Sequence, residues 1–143
     1  MEDRDYRWPA AAVGVVEVRL TELEAAFIKY TPRSPTEDER KINPQWPADY
    51  ILDCFQIEGV SIDESDGILF ICPKSRAENK DHYIQVYFAG SSVPDRLGKN
   101  KVGKTCRWNK QGAGMADLSL QPSIAEEDDV CKWHGFVTLG EAK

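Results

Sequence analysis

Two short stretches limit what this chain can fold into: GILFICP, Gly67 to Pro73, is almost continuously apolar, and HYIQVYFAG, His82 to Gly90, is aromatic and β-branched. Runs of that length and composition fit central strands of a sheet. The polar SRAENKD between them reads as a connection. Upstream, VGVVEVRL (13–20) and LEAAFIKYT (23–31) read as strands, the second in preference to a short helix. PRSPTEDERKINPQWP (32–47) holds four prolines and a charge run, which suit neither a ladder nor a helix interior, so a long mobile loop is expected. ADYILDCFQIEG (48–59) spaces Tyr50, Ile51, Cys54 and Phe55 helically before Gly59, which predicts one short helix with Cys54 on its apolar side.

Downstream, Pro94, Gly98, Gly103, Gly112 and Gly114 break up residues 91–114, and DLSLQPSI (117–124) alternates until Pro122 is expected to stop it. HGFVT followed by LGEA reads as a terminal strand or hairpin. The expected fold class is mainly β, with α+β as its variant: a small single domain with an antiparallel sheet and at most one or two short helices. Its irregular parts would be a flexible N-terminus (1–12), the Pro-rich charged loop (32–47) and a basic loop (91–107).

The chain has 143 residues, 41% hydrophobic and 29% charged, which is the composition of one folded domain. The apolar run from Ala10 to Val16 is too short to span a bilayer, and Glu2 and Asp3 do not suit a secretory leader, so a cytosolic protein without membrane association is expected. In that setting Cys54, Cys72, Cys106 and Cys131 are expected as thiols or metal ligands rather than disulfides. The net charge is −6, yet residues 96–110 carry six Lys or Arg and no acid, which leaves the rest at −12 (−6 minus 6).

That basic stretch contains GKNKVGKT, Gly98 to Thr105, which satisfies the letter of a phosphate-binding loop. A working loop needs a strand running into it and a helix starting at its Lys-Thr. Here the preceding strand ends near Gly90, and Gly112 and Gly114 would each cost a following helix about 1 kcal/mol. No nucleotide is expected. Four residues could instead form a tetrahedral zinc shell: Cys72, His82, Cys131 and His134, with Cys106 as an alternative ligand. The spacing is less telling than the chemistry, because CPKS places Ser75 where a knuckle would have its second cysteine. A thiol dyad of Cys131 and His134 would need a turn, since an offset of three on a flat strand puts them on opposite faces. No catalytic set stands out, and a non-enzyme is the favoured expectation.

Taken in order, VEVRLTELEAAFIKY, GILFICPK, RWNKQGAGMADLSLQPSI and CKWHGFVTLGEA resemble a family of small uncharacterised phage and prophage proteins. Members of that family share L-T-E-L-x-x-x-F-I-x-Y, F-x-C-P-x-C, W-x-x-x-G-x-G-x-x-D-L-x-L-x-P-S-I and a terminal C-x-W-H-G-F-V-T-N-G. The likeness covers most of residues 16–142 outside the Pro-rich and basic loops. It implies Cys72, His82, Cys131 and His134 as a shared site and Trp108, Pro122, Ser123 and Gly135 as shape-setting positions. Two departures stand out: Ser75 replaces the second cysteine, and Leu139 replaces the turn asparagine, so the final turn is expected to differ.

The resemblance implies a phage-encoded accessory protein in the cytoplasm of an infected bacterial host, or alternatively in the virion. On this reading it is a protein-binding module for a host or phage protein, one version being an inhibitor of a host defence or nucleic-acid-processing complex. An alternative is nucleic-acid contact through Arg96, Lys99, Lys101, Lys104, Arg107 and Lys110, with Trp108 stacking on a base. A third is a metal- or thiol-dependent enzyme using Cys131 and His134. The oligomeric state does not follow from the sequence.

Overall fold

The computed structural model describes residues 18–78, 82–125 and 133–143. Among them are nine strands: β1 (Val18–Arg19), β2 (Ala26–Tyr30), β3 (Phe55–Gln56), β4 (Gly67–Ile71), β5 (Tyr83–Tyr87), β6 (Asn109–Gln111), β7 (Ser119–Ala125), β8 (His134–Thr138) and β9 (Glu141–Ala142). Two short helices join them, α1 (Glu37–Ile42) and α2 (Pro73–Ala77). The strands form two antiparallel sheets, ordered β3-β2-β4-β5 and β1-β9-β8-β7-β6, so the fold is mainly β. No helix of the described residues is long and apolar enough to cross a membrane.

The period of two decides what each strand buries. In β5, Ile84 and Val86 are buried while Tyr83 and Gln85 are exposed; in β8, Gly135 and Val137 are buried while His134, Phe136 and Thr138 face out. Register lines up Phe27, Ile68 and Val86 across β2, β4 and β5 on the inner face of the four-stranded sheet. The five-stranded sheet supplies Leu120, Ile124, Val137 and Ala142 to the same core. Trp133 stands edge-on to Phe70, with ring centroids 6.1 Å apart, an arrangement that suits the aromatic quadrupole. Full burial of Phe70 and Phe88 contributes about 2–3 kcal/mol each.

The sheets meet where Phe88 and Trp108 form a parallel bridge: the Trp108 amide donates to the Tyr87 carbonyl (3.0 Å) and the Ala89 amide to the Trp108 carbonyl (2.8 Å). A second tie is Lys110, whose ammonium donates to the Ile62 carbonyl at 2.6 Å and lies 4.9 Å from the centre of the Phe88 ring.

Several local expectations change. The Pro-rich segment contains α1, because Thr36 accepts from the Glu39 amide while the Glu39 carboxylate accepts from the Thr36 amide, closing a capping box. Residues 48–59 form no helix. They run extended beside β2 and its continuation, where Leu52 exchanges backbone bonds with Arg33 and the Cys54 carbonyl accepts from the Thr31 amide. A sheet edge satisfies these backbone groups, and Ile51 and Ile57 stay exposed, so Cys54 is half-buried in extended chain rather than on a helix face. Pro122 does not stop β7, because the strand absorbs it in a bulge. The polar link after β4 opens with α2, which has Pro73 in its first turn, where a missing N–H costs nothing. In the turn between β8 and β9 the backbone is left-handed at two successive residues, Leu139 at φ +49° and Gly140 at φ +82°. Residues 1–12 lie outside the described chain.

Candidate functional site

The segment that spells a phosphate loop is a hairpin-like turn. Lys99 and Thr105 are bridge partners, and the Asn100 side-chain oxygen accepts from the amides of Val102 (3.1 Å) and Lys104 (2.9 Å). Positive φ at Gly98 and Gly103 lets the backbone reverse. Thr105 leads to Cys106, Arg107 and Trp108 and on into β6, not into a helix, so no helix N-terminus faces the turn.

The six cations of this stretch divide by task. Arg96 makes a two-pronged pair with Asp53 (2.6 and 2.7 Å), and the Tyr30 hydroxyl donates to the same carboxylate at 2.6 Å. These bonds, Arg96 first, hold the Asp53 carboxyl down at about 2. Arg107 lies over the Tyr87 ring at 5.6 Å and donates to the carbonyls of Val93, Pro94, Leu97 and Cys106. Lys110 reaches into the protein to Ile62 and Ser65. Lys99, Lys101 and Lys104 remain on the turn, and the Lys104 ammonium has no partner among the described residues. Trp108 is half-buried, and its indole N–H donates to the Ser123 carbonyl at 3.3 Å.

The residues named as metal ligands fall in different surroundings. Cys72 is fully buried in the core, and its amide donates to the His82 carbonyl at 2.7 Å, so these two sit side by side at the ends of β4 and β5. Ser75 is buried in α2. His134 is exposed on the outward face of β8. Cys106 lies at the base of the basic turn, its sulfur 3.7 Å from the Lys104 carbonyl. Cys131 lies outside the described residues. Among the described residues, no three His, Cys, Asp or Glu side chains gather as a metal-binding group.

His134 has a different neighbour: its Nε2 lies 3.0 Å from the Ser123 hydroxyl. The pairing of β7 with β8 shifts between Leu120 and Ile124, because Leu120 faces Val137 while Ile124 faces Gly135. Three residues of β7, Gln121, Pro122 and Ser123, therefore stand against Phe136 alone, a bulge that suits a proline without an N–H. Beyond it, Ala125 pairs with His134, which leaves Ser123 diagonal to the imidazole and within its reach. Ser123 also lines a cleft of about 510 Å³ between β5, β7 and the basic turn, together with Gln85, Tyr87, Lys99, Lys104 and Trp108.

Sequence reasoning passed over Ser123 as anything but shape-setting. The available signal was a serine just after a strand proline together with a histidine heading an alternating strand, and only the register brings the two together. No family model, curated protein or solved structure matches the chain.

Proposed function

We propose that the chain cleaves an acyl bond, with Ser123 as nucleophile and His134 as its base. The observation that carries this is the 3.0 Å contact between Ser123 Oγ and His134 Nε2 at the wall of an open cleft. With the ring proton on Nδ1, Nε2 accepts the hydroxyl proton as Oγ attacks a carbonyl carbon. The protonated imidazole then gives that proton to the leaving group. Water, deprotonated by the same nitrogen, attacks the acyl carbon; the bond to Ser123 Oγ breaks and Nε2 returns the proton to that oxygen, freeing the acid. The exposed setting on neighbouring strands gives substrate access, and the bulge fixes where the hydroxyl stands. The phage-accessory reading from sequence belongs to the same proposal: a host or phage protein would be the partner that carries the bond.

The test is labelling with a fluorophosphonate, which derivatises activated serines. Wild type should react at Ser123, and both Ser123→Ala and His134→Ala should lose the label while keeping the wild-type melting temperature. Equal labelling of wild type and Ser123→Ala would sink the proposal.

A second reading, binding without cleavage, is favoured by the cationic cleft with the Trp108 indole in its lining. It fits a single-stranded nucleic acid, and it predicts oligonucleotide binding that weakens steeply with salt.

A further inference from the structure

The described lining of the cleft beside Ser123 has a charge out of keeping with the net charge of the chain. That lining includes the cations Lys99, Lys104 and Arg107 and no carboxylate, in a protein of net charge −6. We infer that the cleft holds a substrate by an oxyanion, a carboxylate or a phosphate, set between Lys99 and Lys104. The position of the scissile carbonyl rests on the hydrolytic reading of Ser123 and His134. The anion site itself rests on the cleft's own donors.

Those donors differ in how available they are. The Lys104 ammonium has no partner among the described residues. Lys99 touches the Gly103 carbonyl and the Thr105 hydroxyl at 3.4 Å each, long contacts that a charged acceptor would displace. Tyr87 accepts from the Gln85 amide at 2.8 Å, and its own O–H has no acceptor among the described residues, which leaves a neutral donor in the lining. Arg107 plays another part. Four carbonyls and the Tyr87 ring engage its guanidinium, so it adds positive potential without reaching a ligand. Asp95, 3.7 Å from Arg107 and 84% exposed, offsets part of that potential, so the ligand's charge is met by Lys99 and Lys104.

The turn that carries the lysines is braced before any ligand arrives. Asn100 accepts from two backbone amides and its own amide donates to the Lys104 carbonyl at 2.9 Å, while the Lys99–Thr105 bridge closes the base. With the turn's backbone already held, the ordering cost of binding falls on the rotamers of the two lysines rather than on the loop.

The test is binding of succinate, inorganic phosphate and the neutral succinamide to the Ser123→Ala/His134→Ala protein, which cannot hydrolyse by the proposed route. The readout is protection of Lys99 and Lys104 from an amine-reactive reagent, with Lys41 as an internal reference. The expected result is protection by succinate, by phosphate or by both, none by succinamide, and loss of protection at high salt. The more protective anion identifies the source. Lys104→Gln should weaken anion binding about fivefold with no change in melting temperature. Equal effects of succinate and succinamide, or protection by none of the three, overturn the inference whatever the fluorophosphonate result. If the anions bind but Ser123 is never labelled, the hydrolytic reading fails and the anion site stands.

Discussion

Replacing Lys110 by methionine separates a structural cation from a ligand-binding one. In the sequence Lys110 belongs to a basic stretch that suggests phosphate contacts; in the fold its ammonium donates to the Ile62 carbonyl at 2.6 Å and to the Ser65 carbonyl at 3.3 Å, over the Phe88 ring at 4.9 Å. Methionine keeps most of the stem and removes the charge. Hydrogen bonds from a charged donor contribute about 1.5–3 kcal/mol and a half-buried cation–π contact about 0.5–1 kcal/mol. Relief of the ammonium's desolvation offsets part of that sum, so the expected loss is about 2 kcal/mol. For a chain of this length that is a fall of roughly 6 °C in melting temperature. Urea unfolding with an unchanged slope should report the same loss as a lower midpoint. Lys104→Met, on the exposed turn, should change stability by less than about 0.5 kcal/mol. If Lys110→Met melts like wild type but loses anion or oligonucleotide binding, the assignment of Lys110 to the tie between the sheets is wrong.

Three further outcomes follow from local geometry. Leu139 is 70% exposed at φ +49°, so Leu139→Asn should raise stability by about 1 kcal/mol, read as a higher urea midpoint; a decrease would mean that the side chain contributes to packing. Asp53 is held at about 2, below its ordinary value, so the folded state favours its carboxylate: that stabilisation is complete above about pH 4 and is lost as pH falls towards 2. Asp53→Asn should flatten this part of the acid unfolding curve, and an unchanged curve would show that the Arg96 pair contributes nothing. Thr36→Ala removes the cap of α1, which buries no side chain, so amide exchange over residues 37–42 should accelerate about fivefold while the melting temperature moves by less than about 2 °C; a large fall would assign α1 a role in the core.

Where side chains alternate or pack continuously over several residues, as in β4, β5 and β8, the pattern alone located the strand, because both faces of each segment are dictated by burial. The prolines of residues 32–47 hid the signature T-E-D-E, Thr36 to Glu39, whose capping box is a local bond and was legible in principle. Residues 48–59 misled for a tertiary reason: the spacing of Tyr50, Ile51, Cys54 and Phe55 fits a helix, but the backbone found hydrogen bonds at an edge of the sheet. The basic stretch showed its charge but not its partners, since Asp53 lies 43 residues from Arg96 and Ile62 lies 48 from Lys110. Ser123 and His134 sit on adjacent strands whose register contains a bulge, and no one-dimensional pattern encodes that shift.

The pairing of β1 with β9 bears on how the chain folds. Val18 lies opposite Ala142, 124 positions away (142 minus 18), whereas β4 and β5 or β8 and β9 join near neighbours. Closing so long a segment costs more entropy than forming a hairpin, so the hairpins condense first and the β1–β9 seam closes last. Until it closes, β9 presents an unpaired margin beside a partly exposed core, and in that interval a second, incompletely folded chain could take the place of β1.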